Sequence, residues 1–394
     1  MTSRVATAIT RTRTYVATYG VRAFVREALA RARHRIAHPG VPDRFHVEIS
    51  NTCNFNCEYC VLRDEATGDK LMSDSTFEAI LPYLRDASSV ALSGLAEPLM
   101  HRRFTEFLGR VREVAPRALI SIDTNASLLT EPLAECIVTA GLDSLVFSLD
   151  GVDAELVDDI RQGGSLDTVV SRIQMLNDVK RRLGSDKPVL AATMVAQRKN
   201  IDQMPAVVRL AKSLGVKMLS VNGLEPYESD LTDEALWVDP LRDAETVIAA
   251  VSEAARVADE VGVEIRLPSP VPGESSCTQV GRPIVLADGT VVPCSVLAYR
   301  RERFVSVDDV GQIAPAPSTT DRVSFGNVNE RPLEEIWTDP AYAEFRAGVL
   351  KGEFPSQCAS CLMKHNVICA NAPLTPARFI AAVEERAKMD PLHS

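Results

Sequence analysis

Three cysteines in one short loop constrain this chain more than any other feature of its sequence. Cys53, Cys57 and Cys60 form a CX3CX2C pattern directly after a stretch at 45–50 whose apolar and polar residues alternate as in a strand. Three thiolates from one compact loop can bind three irons of a [4Fe–4S] cube, which leaves the fourth iron open to a further ligand. Zinc knuckles usually pair two Cys or Cys/His elements, and this loop contains no histidine. The spacing therefore predicts an iron–sulfur cluster at the end of the first strand.

Strands and helices alternate along most of the remaining chain. Short apolar or β-branched runs predict strands, and longer stretches with helical periodicity separate them. The predicted strands are 45–50, 90–93, 119–123, 144–150, 189–195, 218–224 and 263–267, and the predicted helices are 74–86, 102–114, 131–140, 166–183, 201–214, 241–261 and 332–350. This alternation predicts parallel βαβ units, hence an α/β sheet or barrel with active-site residues at the C-terminal ends of its strands.

Changes in composition divide the chain into four parts. Pro, Gly and Ser concentrate at 268–276, which predicts a domain boundary there, and an irregular region with a hairpin at Asp288-Gly289 follows. The expected parts are a basic helical extension (1–42), an α/β core (43–268), a smaller second domain (269–370) and a C-terminal tail (371–394).

Charge is unevenly distributed along the chain. The formal net charge is −10, yet residues 1–40 contain eight Arg and one Glu. The overall acidity argues against a nucleic-acid partner, and no apolar run approaches the roughly 20 residues of a membrane span, so we expect neither nucleic acid nor membrane as a partner. The basic start predicts an amphipathic helix packed against the body of the protein, with a targeting or anionic-surface segment as the alternative. The apolar stripe of this helix would consist of Val16, Val21, Phe24, Val25 and Leu29.

A second set of cysteines lies in the C-terminal third. The chain has nine cysteines and no secretory signal, which favours metal or redox chemistry in the reducing cytoplasm over disulfides. Cys277, Cys294, Cys358 and Cys361 come from separated segments, and the last two form a CX2C pair. Four thiolates suit a fully ligated cluster or a structural zinc, and the spacing leaves both open. Cys136, in an apolar helix, is expected to pack in the core.

The first cysteine loop and several later motifs resemble the radical S-adenosylmethionine (SAM) superfamily over roughly residues 43–370. In that family the open iron binds SAM, and reductive cleavage gives a 5′-deoxyadenosyl radical that abstracts hydrogen from the substrate. The resemblance implies a partial (βα)6 barrel, with the segment 93–98 near the SAM amino group and later strand ends near ribose, adenine and substrate. The SAM-contacting residues that it implies are Tyr59, Gly94, Ala96, Glu97, Thr124, Asn125, Ser148, Asp150 and Met194.

The region after residue 277 is similar to the SPASM and twitch auxiliary-cluster domains of radical SAM enzymes. The resemblance implies that Cys277, Cys294, Cys358 and Cys361 bind a second [4Fe–4S] cluster. The SPASM form has seven cysteines and two auxiliary clusters, whereas this region has five, which favours the twitch form with one. Cys369 is then left over. It is either buried and inert, a replacement for one of the four ligands, or a donor of hydrogen atoms.

An auxiliary cluster suits a reaction in which an electron leaves a substrate radical. Twitch-type relatives oxidise a secondary alcohol of aminocyclitols to a ketone in antibiotic biosynthesis, so a dehydrogenase acting on an aminocyclitol or amino sugar is the first expectation. Glu225, beyond the sixth strand, is the candidate substrate contact, and a flavodoxin or ferredoxin is the expected reductant.

Other functions stay open on the sequence alone. A carbohydrate or aminocyclitol epimerase would use Cys369 as its hydrogen donor, and a SPASM-type maturase would modify a ribosomal peptide. Residues 1–40 lack the strand–strand–helix pattern of a leader-peptide recognition domain, which weighs against the maturase. A methyltransferase is disfavoured because no cobalamin-binding domain precedes the barrel. A non-catalytic iron–sulfur or zinc scaffold would not need the SAM-site motifs.

Overall fold

A nine-stranded sheet forms the centre of the protein, which is described here by a computed structural model. The residues that the structure describes are 21, 24, 25, 28, 29, 31, 32, 40–63, 70–85, 87–226, 230–236, 242–270, 277, 279–307, 313–358, 361–365 and 374–389.

The strand order of this sheet is β7-β6-β5-β4-β3-β2-β1-β8-β9. All neighbouring pairs are parallel except β8 and β9. The strands are β1 (Arg44–Val47), β2 (Ser89–Ala91), β3 (Leu119–Thr124), β4 (Ser144–Ser148), β5 (Val189–Ala196), β6 (Met218–Gly223), β7 (Glu264–Arg266), β8 (Ile284–Val285) and β9 (Val291–Val292). Six consecutive parallel strands with helical crossovers confirm the predicted α/β fold with a partial (βα)6 barrel.

The helices of the α/β core cover the outer face of this sheet, and the helices Leu333–Thr338 and Pro340–Lys351 belong to the second domain. In chain order the helices are α1 (Asp74–Leu84), α2 (Phe104–Val114), α3 (Glu131–Thr139), α4 (Ala154–Ile160), α5 (Leu166–Arg182), α6 (Met204–Ser213), α7 (Ala244–Val261), α8 (Leu333–Thr338), α9 (Pro340–Lys351) and α10 (Pro376–Met389). None of the helices in the described ranges is both long and apolar enough to span a bilayer.

The side chains of each strand alternate between the hydrophobic core and the opposite, inner face of the sheet. In β3, Ile120 and Ile122 are fully buried in the main hydrophobic core, whereas Asp123 is exposed. Successive side chains of a strand point to opposite faces, and β3 lies in the middle of the sheet. Asp123 therefore faces the concave side of the sheet, here called the lumen.

The second domain is connected to the edge of the sheet through β8 and β9. β8 pairs with β1, and the turn to β9 contains Gly289 at a φ of +85°, a conformation that glycine adopts without a steric penalty. A separate hairpin joins β10 (Arg301–Val307) to β11 (Ile313–Thr320). The helix predicted at 332–350 is two helices, because Asp339 caps α9 by accepting the amide of Ala341 (3.0 Å) and Pro340 cannot continue a preceding helix.

The C-terminal segment, expected as a tail, contains a helix that packs on the barrel. Phe379 and Val383 of α10 are buried in the main core, and Leu374 just before it forms a bridge with Leu267 after β7. Apolar residues four apart lie on one helix face, which explains how this short helix joins the core.

The expectation that the basic N-terminal helix packs on the body is wrong for the residues described. Residues 21, 24, 25, 28, 29, 31 and 32 are helical, but Val21, Val25 and Leu29 are 62%, 47% and 54% exposed. Val16 of the predicted stripe lies outside the described residues. An ion pair joins Arg31 to Asp43 (3.0 Å) at the start of the barrel. Val21, Val25 and Leu29, which belong to the described part of the stripe, therefore face solvent.

Cys136 is also exposed, contrary to expectation. Ala134, Ile137 and Val138 of α3 are buried, and a residue two positions from Ala134 points away from that face.

Candidate functional site

Backbone hydrogen bonds hold the loop of the first three cysteines. The amide of Asn56 donates to the carbonyl of Gln162 (2.6 Å), and the amide of Glu58 donates to the carbonyl of Ile160 (3.0 Å). The loop therefore lies between the C-terminal end of β1 and the end of α4, where the strand–loop pattern predicted it.

Two of the three thiols of this loop line an open cavity, and Cys57 is buried close to them. Cys53 and Cys60 line this cavity together with Asn54, Phe55 and Gly163. Burial raises the pKa of Cys53 and raises that of Cys57 to about 12, and the charges of neighbouring thiolates add to both effects. The amide of Phe55 (3.4 Å) and the side-chain amide of Asn125 (3.9 Å) point at the Cys53 sulfur. Thiols with raised pKa values stay protonated when no metal is bound, and a metal cluster displaces their protons when it binds. A group of such thiols therefore fits a metal cluster.

Tyr59, between two of the cysteines, belongs to a buried polar triad. Its hydroxyl donates to Oδ2 of Asp150 (2.8 Å), and the Arg161 guanidinium donates to the same carboxylate oxygen (2.7 Å) and to the Tyr59 oxygen (2.6 Å). The amide of Val195 donates to the other oxygen of Asp150 (2.8 Å). The triad thus fixes the cysteine loop to the ends of β4 and β5. Whether Tyr59 and Asp150 also contact SAM stays a prediction.

Sequence reasoning missed Arg161, which completes this triad. Its side chain is 10% exposed, and the charge of Asp150 raises its pKa despite its burial. The signal in the sequence that could have indicated this position is the glycine pair, Gly163 and Gly164, that follows Arg161. Gly163 has a φ of +91°, and a Cβ on Gly164 would overlap the ring of Phe55, so both glycines allow close approach to the cysteine loop.

The Glu97 side chain connects the segments at the ends of β2 and β3 by hydrogen bonds. Its buried carboxylate accepts hydrogen bonds from the Thr124 hydroxyl (2.7 Å), the Asn125 amide (2.7 Å) and the Leu99 amide (3.0 Å). Burial raises its pKa and these donors oppose the rise. Thr124 and Asn125, predicted at the same site, are therefore brought together with Glu97 beside the cysteine loop. Ala96, in the same segment, is buried.

The structure does not place the Met194 side chain in this site. Met194 is fully buried in the core under the helices, whereas Thr193 and Val195 are partly exposed on the opposite face of β5. Successive side chains of β5 point alternately to the core and to the lumen, so a shift of one residue along the strand exchanges the two faces. Ser148, at the end of β4, pairs with Thr193 and is partly exposed on the lumen side, and its contact with SAM stays a prediction.

The second set of cysteines also converges. Cys277, Cys294, Cys358 and Cys361 line one small cavity. Burial raises the pKa of Cys294 to about 12, and the charges of Cys361, Cys277 and Cys358 raise it further. Four neighbouring thiols from three segments form a fully protein-ligated donor set, which fits a cluster.

One apolar layer joins the two cysteine sites. Tyr59 and Val195 pack with Leu362 and Met363, which follow Cys361 directly, in a small cluster around Leu224. Met363 also packs in the cluster that contains Cys294, Cys358 and Cys361. The second cysteine set therefore lies against the rim of the first site. Glu225, next to Leu224, is buried there, and Cys369 lies outside the described residues.

Comparison with protein families agrees with this geometry. The profile described as "Radical SAM superfamily" matches residues 47–221, and the SPASM profile, described as "Iron-sulfur cluster-binding domain", matches residues 277–362. This chain carries a radical SAM domain followed by a SPASM iron–sulfur domain. The radical SAM profile begins within β1 and ends within β6, and the SPASM profile spans all four cysteines of the second set.

Curated radical SAM relatives match most of the chain. It is 27% identical over 331 residues to the "Tungsten-containing aldehyde ferredoxin oxidoreductase cofactor-modifying protein" of Pyrococcus furiosus, covering 81% of this chain and 87% of the relative. It is 24% identical to the "AdoMet-dependent heme synthase" of Methanosarcina barkeri, over 83% and 93% of the two chains. A "PqqA peptide cyclase" of Granulibacter bethesdensis is 22% identical over 80% and 78%.

Solved radical SAM structures share the fold. Streptococcus suis SuiB bound to precursor peptide SuiA aligns with a TM-score of 0.56 and 15% identity, over 86% of this chain and 74% of SuiB. The anSMEcpe protein with bound AdoMet aligns with a TM-score of 0.57 and 16% identity, over 88% and 97%.

The radical SAM and SPASM domains imply SAM and [4Fe–4S] clusters as cofactors. The two thiol sets described above fit these groups. Cys53, Cys57 and Cys60 would hold the cluster that binds SAM, and Cys277, Cys294, Cys358 and Cys361 would hold the auxiliary cluster.

Proposed function

We propose that this radical SAM enzyme oxidises a secondary alcohol of an aminocyclitol or amino sugar to a ketone. The observation that carries the proposal is the apolar layer that joins the two cysteine sites. An enzyme that removes an electron from a substrate radical needs an acceptor close to the reacting carbon. Met363, which packs against both sites, indicates that the second cysteine set could serve this purpose.

The lumen supports a small polar substrate. Ser121, Ser148, Thr193 and Ser220 lie at alternating strand positions opposite the core residues, so their hydroxyls face the lumen. Hydroxyl-lined walls can exchange hydrogen bonds with a polyhydroxylated ring.

Asp123 supports an amino group on that substrate. Its Oδ2 accepts the Ser93 hydroxyl (2.9 Å), and its side chain is exposed on the lumen face. Desolvation by the surrounding lumen walls raises the pKa of Asp123, and the Ser93 hydrogen bond and the charge of Arg282 oppose the rise. A substrate ammonium group would stabilise the ionised carboxylate by a charge-assisted hydrogen bond.

The reaction balances with the groups that the two domains imply. When bound, SAM and the clusters supply a hydrogen-abstracting 5′-deoxyadenosyl radical and an acceptor for one electron. The carbinol loses a hydrogen atom from carbon, a proton from oxygen and one electron, which together convert it to a ketone. The buried triad of Tyr59, Asp150 and Arg161 would hold the cysteine loop rigid, and the Leu224–Leu362 layer would exclude water from the rim. A flavodoxin or ferredoxin remains the proposed reductant.

Peptide maturation is the second candidate. Two similar proteins act on or bind peptides by name, namely the PqqA peptide cyclase and SuiB with its precursor peptide. A peptide substrate would also present polar groups to the lumen. The identities of 22% and 15% leave the substrate class to experiment.

The test uses the anaerobically reconstituted full-length enzyme with SAM and titanium(III) citrate. Aminocyclitols and amino sugars, deuterated at the carbinol carbons, are compared with a mixture of synthetic peptides. The proposal expects deuterium in 5′-deoxyadenosine and one ketone formed per SAM consumed. Asp123→Asn should raise the KM for the amino substrate at least tenfold while substrate-free SAM cleavage persists, and the exposed control Asp178→Asn should match wild type. Deuterium transfer without ketone formation would indicate an epimerase, and turnover of peptides alone would indicate a maturase.

A further inference from the structure

Glu48 is a buried carboxylate that the thiol ligands and the substrate site do not account for. It follows β1 directly and is 1% exposed. Phe45 and Val47 of β1 face the main core, so alternation turns Glu48 to the opposite face. A carboxylate buried in this way is costly unless its oxygens are hydrogen-bonded, and its partners therefore indicate its role.

The partners of Glu48 come from two separate parts of the chain. Its Oε1 accepts the Tyr299 hydroxyl (2.6 Å) and, more weakly, the Ala287 amide (3.5 Å). The Leu95 amide also donates to the carboxylate. A Cβ on Gly94 would overlap Cγ and Oε2 of Glu48, so the carboxylate lies directly against the backbone there. Glu48 thus joins the segment 94–95 to the segment 287–299.

These two segments lead to the two cofactor sites. The first continues to Glu97, which fixes Asn125 beside the Cys53 sulfur. The second contains Cys294 of the auxiliary site between Ala287 and Tyr299. Tyr299 is itself buried in an apolar cluster that also contacts Leu95. Among the described contacts, Glu48 therefore connects the segment 94–98, which is predicted to contact SAM, directly to the hairpin of the auxiliary site.

We propose that Glu48 is a positioning residue that, through its ionised carboxylate, couples the SAM-binding segment 94–98 to the hairpin that carries Cys294. The ionised form accepts hydrogen bonds from both segments at once, and charge-assisted bonds are roughly twice as strong as neutral ones. Protonation weakens the connection between the two sites. The role does not depend on which substrate is oxidised, because it concerns SAM and the clusters alone.

The protonation of Glu48 falls in the physiological range. Burial raises its pKa to about 7, while the Tyr299 hydroxyl and the Ala287 and Leu95 amides oppose the rise. On the same strand, burial lowers the pKa of His46 to about 3, so this imidazole stays neutral as Glu48 titrates. Asp288 also raises the Glu48 pKa, and its own partners are Arg322 (3.1 Å) and Lys70 (3.8 Å). The segment 94–98 carries Glu97, whose pKa burial also raises, and Arg282 lies just before β8.

The first experiment measures substrate-free SAM cleavage from pH 6 to 8 in wild type, Glu48→Gln and Tyr299→Phe. Taking the ratio of wild type to Glu48→Gln at each pH removes effects of pH on the reductant. One ionisation near pH 7 should raise this ratio about tenfold across the range. Glu48→Gln should also raise the KM for SAM, because the SAM-binding segment loses an anchor. The exposed control Glu155→Gln should give a flat ratio.

Tyr299→Phe provides a second test if the glutamine variant folds poorly. The Tyr299 hydrogen bond lowers the Glu48 pKa, so its removal should move the midpoint of the pH profile upward. A purely structural role for Tyr299 would lower the rate at every pH without moving the midpoint.

The second experiment tests whether the coupling reaches the auxiliary site. In a Cys53→Ala, Cys57→Ala, Cys60→Ala background, the electron paramagnetic resonance spectrum reports the auxiliary cluster alone. It should change between pH 6 and 8 and lose that change when Glu48→Gln is added. The proposal would be overturned if the ratio of wild-type to Glu48→Gln SAM cleavage did not change with pH and Tyr299→Phe did not move the midpoint of the pH profile. A pH-independent auxiliary spectrum would overturn the coupling even if SAM cleavage titrates.

Discussion

At the scale of single residues, the Glu48 carboxylate fills the space that a side chain at position 94 would need. A Cβ at position 94 would overlap the Glu48 carboxylate, so we expect Gly94→Ala to destabilise the protein by about 1–3 kcal/mol, as overpacking does. The cost should fall by more than half in a Glu48→Ala background, because the overlap is removed. Urea unfolding of the two single variants and the double variant measures this. Equal costs in both backgrounds would show that Glu48 does not restrict position 94.

At the scale of elements, an aromatic stack holds the helices of the second domain. Tyr342 is fully buried, and its ring stacks on Phe325 with centroids 4.2 Å apart. The Arg346 guanidinium lies 3.7 Å from the Trp337 ring centroid and 4.3 Å from that of Tyr342. These contacts join α8 and α9 next to Cys294.

We therefore expect Tyr342→Ala to destabilise the second domain by about 3–5 kcal/mol, as truncation of buried aromatic residues does. Iron bound at the auxiliary cysteines should fall, whereas SAM cleavage at the first site should be retained in part. Tyr342→Phe is the matched control, since it keeps the ring and loses only the hydroxyl contacts to the Val292 carbonyl (3.4 Å) and to Arg346. Loss of iron from both sites alike would mean that the two domains unfold together.

The exposed N-terminal stripe gives a second prediction at this scale. Val21→Ser, Val25→Ser and Leu29→Ser should each change the free energy of unfolding by less than about 0.5 kcal/mol, because the side chains already face solvent. Val251→Ser in α7 is the contrast, since Val251 is 1% exposed. Thermal unfolding compares the four variants. A loss above about 1 kcal/mol at the stripe would mean that this helix packs on the body after all.

At the scale of the whole molecule, the features that could be predicted are those set by local pattern. The CX3CX2C loop and the alternation of strands and helices depend on neighbouring residues, and both are where the sequence places them. The β10–β11 hairpin was missed because Pro315 and Pro317 obscure a strand signal, and proline is tolerated on an edge strand. The burial of the Met194 side chain in the core depends on a single-residue register along β5, which the strand pattern alone does not fix, and its contact with SAM stays a prediction.

Contacts between distant residues could not be predicted from one sequence. Arg161 reaches Tyr59 across 102 positions, and Tyr299 reaches Glu48 across 251. Neither arginine nor tyrosine carries a local signal for such a partner. Only the fold, which brings α4 and the β9 hairpin to the end of β1, creates these contacts.

The most direct test of the whole account is iron and sulfide counting, with SAM cleavage, after anaerobic reconstitution. Three proteins are compared, namely wild type, the Cys53→Ala, Cys57→Ala, Cys60→Ala variant, and a variant with alanine at Cys277, Cys294, Cys358 and Cys361. We expect about eight irons in wild type and about four in each variant, with SAM cleavage abolished only in the first variant. About four irons in wild type and none in the first variant would contradict the account, because the second cysteine set would then hold no cluster to accept an electron.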